Sequence, residues 1–503
     1  MFRTSLPAGG FYHRRFHLFA FAASLLAMGT AAPQANANDL GNVDFQTSCS
    51  AEANGAFNDG LTLLHHMMYF QADALFSAAS EKSPDCAMLH WGVAMTKFHP
   101  LWPGRPGPEK IAAGQAAVER MQRANVGSET EQAFKAAAAA YYEGDETPYP
   151  ERISAWAATQ AEAFDKHPEN VDATAFHALG LLATAPRGDK SLANQRAAGA
   201  LMETLDQRTD LHPAVYHYAI HAYDNPVLYE RALPFARDYG KIAPDVPHAL
   251  HMPSHIFVRA GLWDQVIDWN VRSAEVALAH PLGGVITNHY AHAMDYLIYA
   301  VLQKGDFARA EELLAEFVSH ANQQDNFGSA YALAASPVRV ALEQEQWGLL
   351  AAMSGDMHPA ISWEKFPQTA AMRWFAIGLG AARSDNLARA TEALEQLAEL
   401  RQTLETSKQG YWLKLVEAQI LSVEAWMEMS RGNTALAINL QTKAADMEDA
   451  VGKSPVTPGH VLPARELLGD LYAEAGRTDD ALSAFHATLS HSPNRRRSLV
   501  ALN

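Results

Sequence analysis

The segment that decides the fold is LPARELLGDLYAEAGRTDDALSAFHATLSHSP, residues 462–493. Counted from its first residue, positions 8, 11, 15, 20, 24 and 32 are held by Gly469, Tyr472, Gly476, Ala481, Phe485 and Pro493. Apolar residues recur at helical spacing on both sides of the second glycine. The segment therefore predicts two helices that touch where residues are small, with an aromatic side chain between them and a proline that ends the second helix.

The same frame recurs along the chain, so the segment is one unit of a repeat. The first unit begins at Ala53 and places Gly60 at position 8 and Phe76 at position 24. Further units begin at Ala173, Pro213, Pro247, Ala291, Ala371 and Ala418, and degenerate pairs are predicted for 120–172 and 325–370. This is the tetratricopeptide (TPR) pattern. Because one unit cannot bury its apolar face alone, we predict an all-α, TPR-type α-solenoid, a right-handed superhelix of helix-turn-helix repeats.

Composition narrows the function. The chain has 503 residues, a formal charge of −17, 22 histidines and two cysteines. The acidic balance argues against a nucleic-acid partner, which would require a basic face. Two cysteines are too few for zinc fingers or an iron–sulfur cluster. Any bound metal must therefore be held by imidazole and carboxylate groups.

The pattern of the first residues is typical of an export signal. Arg14 and Arg15 precede an apolar run at 18–28, and an A-x-A cleavage site follows at 35–37. The run is too short for a permanent membrane helix, and no later segment is apolar enough to span a bilayer. We predict cleavage after Ala37 and a periplasmic or secreted mature protein, by either the general secretory or the twin-arginine route.

Domain boundaries follow from the signal and the repeats. They are predicted as a signal peptide at 1–37, N-terminal repeats at 38–120, central His-rich repeats at 121–324 and C-terminal repeats at 325–503. Cys49 and Cys86 flank the two helices of the first unit. Export permits a disulfide between them, which would clamp the terminal repeat; two separate buried thiols are the alternative.

The histidines follow the repeat register. In each unit, positions 2, 5, 9, 12 and 13 share one face of the first helix, the face that lines the concave groove in TPR proteins. Eight histidines fall on these positions: His65, His177, His217, His221, His248, His251, His255 and His292. Chance placement would give roughly two. Because adjacent units stack side by side, we expect His217 beside His251 and His221 beside His255.

Converging imidazoles suggest a transition metal: zinc, copper or iron. The predicted ligands are His217, His221, His248, His251, His255 and His292, with Asp224 and Asp295 as carboxylates. His65, His90, His177 and His289 are further candidates along the groove. Pro253, between two of the predicted ligands, is expected to kink its helix. For any single histidine, hydrogen bonding to a peptide or carboxylate partner is the plainer interpretation.

Two segments carry a family resemblance. HYAIHAYD at 217–224 and HALHMPSHIF at 248–257 resemble a group of exported bacterial TPR proteins of undefined activity. The resemblance covers essentially the whole mature chain and supports the fold and the groove. General TPR behaviour would imply a scaffold that binds a protein or peptide.

Three functions remain open at this point. The first is an exported TPR binding protein whose His-lined groove holds a metal, a peptide or a small ligand. The second is a metal-dependent enzyme in which the groove His and Asp residues hold Zn, Fe or Cu with an open coordination position. The third is a metal-free scaffold for protein–protein interaction. The acidic charge suits a cationic partner better than an anionic one.

Overall fold

The structure is a computed structural model that describes residues 40–102, 105–186 and 188–503. The expected signal peptide at 1–37 lies outside the described residues. The helices are α1 (Ala51–His65), α2 (Tyr69–Lys82), α3 (Ala87–Met95), α4 (Pro108–Arg123), α5 (Glu129–Tyr142), α6 (Tyr149–Lys166), α7 (Val171–Ala183), α8 (Ala193–Asp206), α9 (Pro213–Tyr223), α10 (Tyr229–Ile242), α11 (Pro247–His251), α12 (Pro253–Ala260), α13 (Trp263–Ala279), α14 (Asn288–Lys304), α15 (Phe307–Ser319), α16 (Phe327–Glu343), α17 (Trp347–Ala352), α18 (Pro367–Arg383), α19 (Leu387–Thr406), α20 (Gly410–Ser430), α21 (Thr434–Val451), α22 (Ala464–Glu474), α23 (Thr478–His491) and α24 (Arg496–Ala501). A short 3₁₀ turn spans Trp363–Lys365.

Consecutive helices pack in pairs, and each pair packs on the next. This confirms the predicted all-α, TPR-type solenoid. The contact between small and aromatic residues is the one that the frame predicts: a Cβ on Gly60 would lie 2.5 Å from the Phe76 ring, and a Cβ on Gly469 would lie 2.6 Å from the Phe485 ring. Only glycine lets the paired helices approach this closely.

The predicted degenerate pairs are present as α5 with α6 and α16 with α17. The domain boundary placed after residue 120 falls within α4, which packs on α3 and continues to Arg123.

Cys49 and Cys86 are joined by a disulfide that links a residue just before α1 to the residue before the start of α3. Among the described residues, no helix is both long and apolar enough to cross a membrane.

The C-terminal end is anchored in the molecule by buried charges. Arg495 has no exposed surface, and its guanidinium pairs with Glu466 and Glu343 at 2.8 and 2.7 Å. The indole N–H of Trp263 donates to the Asn494 carbonyl at 2.9 Å. The sequence suggests a solvated basic tail at 495–497. That expectation is wrong, because Arg495 and Arg497 pair with the buried Glu466 and Arg496 lies over the Phe307 ring.

The concave face is filled rather than open. The segment 452–463 lies on α14, since the Tyr296 hydroxyl donates to the Pro455 carbonyl at 3.4 Å and Gly459 lies against Tyr299. On another side, the Trp102 ring lies 5.8 Å from the His248 ring. The predicted concave, His-lined groove is therefore a buried interior where α9, α11, α12 and α14 meet.

Candidate metal centre

Six of the eight histidines in the predicted stripe are held by four helices that lie side by side, whereas His65 lies on α1 and His177 on α7. Helix α9 carries two of these histidines, α11 carries two, and α12 and α14 carry one each. Pro253 interrupts the helix, because α11 ends at His251 and α12 begins at Pro253. This break lies between His251 and His255, whose imidazoles converge.

Site A consists of His217, His221 and His248. The Nε2 atom of His217 lies 3.1 Å from Nε2 of His221 and 3.2 Å from Nε2 of His248. Each of the three residues thus offers one ring nitrogen, and these nitrogens lie within 4.8 Å of one another. His217 has no exposed surface, and His248 is also buried.

One hydrogen bond sets the tautomer of His217. Its Nδ1 lies 2.6 Å from the backbone carbonyl of His65, which can only accept. Nδ1 therefore carries the proton, and Nε2 presents a lone pair to site A. That single lone pair can accept a hydrogen bond from only one of His221 and His248.

Site B consists of His251, His255 and His292. The Nε2 atoms of His251 and His255 are 3.0 Å apart. The His292 ring lies 4.1 Å from the His251 ring and 5.7 Å from the His255 ring. Each of the three residues offers one ring nitrogen within 4.8 Å of the others.

Both close imidazoles of site B have fixed tautomers. Nδ1 of His251 lies 2.7 Å from Oδ1 of Asn270. The amide nitrogen of Asn270 donates to the Val266 carbonyl at 2.7 Å, which fixes the orientation of the amide. Nδ1 of His255 lies 3.1 Å from a carboxylate oxygen of Asp224. Each Nδ1 is thus a donor, and two bare Nε2 lone pairs face each other.

These spacings match those of metal ligands. For a tetrahedral zinc ion with Zn–N distances of about 2.0–2.1 Å, two ligand nitrogens lie about 3.3 Å apart. The nitrogen pairs of sites A and B lie 3.0–3.2 Å apart. An Nδ1 atom that donates to a carboxylate, an amide oxygen or a backbone carbonyl is also the usual outer partner of a metal-ligating histidine.

Asp224 is the charged outer partner of site B. It accepts a bond from Nε of Arg259 at 2.8 Å, and the Lys453 ammonium lies 3.8 Å away. Burial alone would raise the pKa of Asp224, but Lys453, Arg259 and His255 together bring it well below the ordinary value. Asp224 therefore remains a carboxylate and accepts the His255 proton.

The buried imidazoles are held neutral. Burial lowers the pKa of His217, His248, His251 and His292 well below 6.5, and the neighbouring histidines lower it further. Burial and the adjacent His255 lower the pKa of His221 to about 3. A neutral imidazole keeps the lone pair that a metal requires.

Other predicted residues lie outside the two sites. Asp295 pairs with Arg339. His90 bonds the Pro84 carbonyl at 2.9 Å, and His177 stacks on Phe164 with the ring centroids 4.9 Å apart. His289 lies beside site A, 5.4 Å from the His248 ring between ring centroids.

Of the two histidine pairs predicted between adjacent repeats, one is present and one is not. His255 is a neighbour of His221, as expected, and lowers its pKa. His217 meets His248 instead of His251, with the two Nε2 atoms 3.2 Å apart. Sequence reasoning also missed Asn270 and Lys453. Neither is a histidine on the stripe, and they reach the site from α13 and from the loop after α21.

Comparison with known proteins gives distant similarities only. No protein-family model and no curated protein matches the chain. Many solved structures match the chain, and the following three are among them. The APC/C hetero-tetramer Cut9–Hcn1 is 10% identical over 90% of this chain and 89% of that chain, with a TM-score of 0.30. The human IFIT1 dimer with m7Gppp-AAAA is 11% identical over 80% and 91%, with a TM-score of 0.33. The P58(IPK) TPR domain is 12% identical over 90% and 96%, with a TM-score of 0.21. None of these similarities carries an argument about function.

Proposed function

We propose that this protein is an exported TPR-type binding protein that holds two transition-metal ions, one in site A and one in site B. One observation carries the proposal. The Nε2 lone pairs of His251 and His255 face each other at 3.0 Å, while both Nδ1 protons are committed elsewhere. A cation between them turns this repulsion into two coordinate bonds.

The ligand set limits which metal ions these sites could bind. Three neutral imidazoles suit zinc and copper, whereas magnesium and calcium require oxygen ligands. Iron(II) in a facial triad requires a carboxylate ligand, and Asp224 faces Nδ1 of His255 rather than the converging Nε2 atoms. We therefore favour zinc or copper over iron.

A second function rests on the number of ligands. Each site supplies three imidazoles, which leaves one position free on a tetrahedral ion. Three protein ligands with one open position is the pattern of catalytic zinc, whereas structural zinc is closed by four. A small molecule or a peptide side chain bound at that position would make the protein a metal-dependent receptor or enzyme.

The test is metal content after equilibrium dialysis. The full chain, exported and processed by its host, is stripped with a chelator, dialysed against Zn²⁺ or Cu²⁺ and measured by elemental analysis. We compare the native protein with His217→Ala and His251→Ala. The matched control is His177→Ala, since His177 lies on the same sequence stripe but stacks on Phe164.

We expect about two tightly held ions in sites A and B together, and about one fewer in each site variant. The control should retain the native content. Equal metal content in all four proteins would refute the proposal. Circular dichroism checks that each variant keeps its helical content.

A further inference from the structure

A third cluster of ligand-type side chains lies outside sites A and B. His65 ends α1, Asp172 lies in the first turn of α7, and His212 directly precedes α9. The Asp172 carboxylate oxygen Oδ1 lies 2.8 Å from Nε2 of His65 and 3.4 Å from Nε2 of His212. We call these three residues site C.

Site C is deeply buried. His65 is 0% exposed, Asp172 3% and His212 4%. The rings of Phe176 and Tyr218 form part of its wall, with centroids 5.1 and 5.8 Å from that of His65. A charged carboxylate between two imidazoles in such a setting requires compensation.

His212 is the unexplained member. Neither of its ring nitrogens has a hydrogen-bond partner within the part of the chain that the structure describes. An imidazole that is 4% exposed and leaves both nitrogens unpaired loses the hydrogen bonds that it makes in water. Its Nε2 lies 3.4 Å from the same carboxylate oxygen that His65 contacts, without the geometry of a hydrogen bond, so a ligand placed between them would satisfy it.

We propose that site C binds a divalent transition-metal ion, with Zn²⁺ as the best fit, through Nε2 of His65, Asp172 and Nε2 of His212. The separations of 2.8 and 3.4 Å lie on either side of the roughly 3.3 Å expected between ligands of a tetrahedral zinc ion. The Tyr218 hydroxyl, 3.0 Å from Nδ1 of His65, is the outer partner that orients the ring.

The carboxylate distinguishes site C from sites A and B. A divalent ion bound by three neutral imidazoles keeps both of its charges in the interior, whereas Asp172 cancels one of them. Site C therefore prefers a divalent ion to a monovalent one such as Cu⁺. The direct ligands of sites A and B are all neutral, so neither ligand set contains this compensating charge.

Site C is connected to site A through the backbone. The His65 carbonyl accepts the Nδ1 proton of His217 at 2.6 Å, while the side chain of His65 belongs to site C. The evidence for site C does not depend on occupancy of site A, so the two proposals succeed or fail separately.

The first test removes one ligand at a time. The full chain is stripped, dialysed against Zn²⁺ and measured by elemental analysis as the native protein, Asp172→Asn and His212→Gln. The control is Asp210→Asn, an aspartate close in sequence to His212 whose side chain is not part of the cluster. We expect each site variant to hold about one Zn²⁺ fewer than the control. Equal zinc content in all four proteins would overturn the proposal.

The second test does not require a variant to fold. Crystals of the native chain are soaked in Zn²⁺ and measured at the zinc absorption edge. An anomalous peak within about 2.0–2.2 Å of Nε2 of His65 and a carboxylate oxygen of Asp172 supports site C, whether or not sites A and B are filled. If the map shows no peak there, site C is a hydrogen-bonded His–Asp pair. Peaks at sites A and B are read independently and test the proposed function.

Discussion

Replacing Asn270 by leucine tests whether the outer partners prepare site B for a metal. Asn270 is fully buried, and its Oδ1 accepts the Nδ1 proton of His251 at 2.7 Å. Leucine has a similar volume and no acceptor. The variant removes the bond that directs the His251 lone pair toward His255, while all three ligands of site B remain.

The expected losses of metal affinity and of folding stability follow from that hydrogen bond. Loss of an outer partner of a metal-bound histidine typically lowers metal affinity by about 10- to 100-fold, or about 1.4–2.7 kcal/mol. The metal-free variant also leaves Nδ1 of His251 buried without a hydrogen-bond partner, which costs about 1–3 kcal/mol of folding stability. Site A has different outer partners, so its affinity should not change.

The assay is a competition titration of Zn²⁺ against a chromophoric chelator, which resolves the individual affinities. The matched control is Ser254→Ala. The Ser254 hydroxyl accepts from the Asn270 amide at 2.7 Å, but the Val266 carbonyl holds the same amide. We expect Asn270→Leu to weaken one class of site and the control to stay within about threefold of the native protein. Unchanged affinities in Asn270→Leu would refute the account of site B.

Three further predictions concern stability. Gly60→Ala should destabilise the protein by about 1–3 kcal/mol in urea unfolding, because its Cβ would lie 2.5 Å from Phe76; Gly55→Ala, with open space at its Cβ, should be neutral or stabilising. Reducing the disulfide that closes the first repeat should cost about 4 kcal/mol, read as a lower Tm in dithiothreitol, since the bridged cysteines are 37 residues apart. The metal-free protein should lose stability as pH falls from 6.5 toward about 4, because burial lowers the pKa of His66 and His289 to about 4 in the folded state and the unfolded chain binds protons first. Denaturant titrations at pH 7, 5.5 and 4.5 measure this loss, and a flat profile would contradict it.

The repeat frame could be predicted from the sequence because it depends on contacts between residues of the same unit. Gly60 and Phe76, like Gly469 and Phe485, lie within one unit, and their spacing alone predicts the contact between paired helices. The sequence did not predict that the concave face is filled. It depends on the segment 452–463 meeting α14, a contact between distant parts of the chain that no spacing encodes.

The residues of the candidate sites could be predicted only where they follow the spacing within one helix. Helical spacing identified all six histidines of sites A and B, because one turn separates ligands on the same helix. The grouping of His217 with His248 was missed, since spacing within one helix does not encode which residues of the neighbouring helix it meets. His212 and Asp172 were missed because each contributes alone from its own helix end, without a second histidine one turn away.

The central claim is that buried imidazoles of this chain coordinate transition-metal ions. X-ray absorption spectroscopy of the full chain, loaded with Zn²⁺ or Cu²⁺ and freed of excess ion, measures that coordination directly. The account predicts a first shell of nitrogen and oxygen at about 2.0–2.1 Å, the outer-shell scattering of several imidazole rings per ion, and no sulfur at about 2.3 Å. A first shell without imidazole scattering, or a protein that retains no ion, would contradict it.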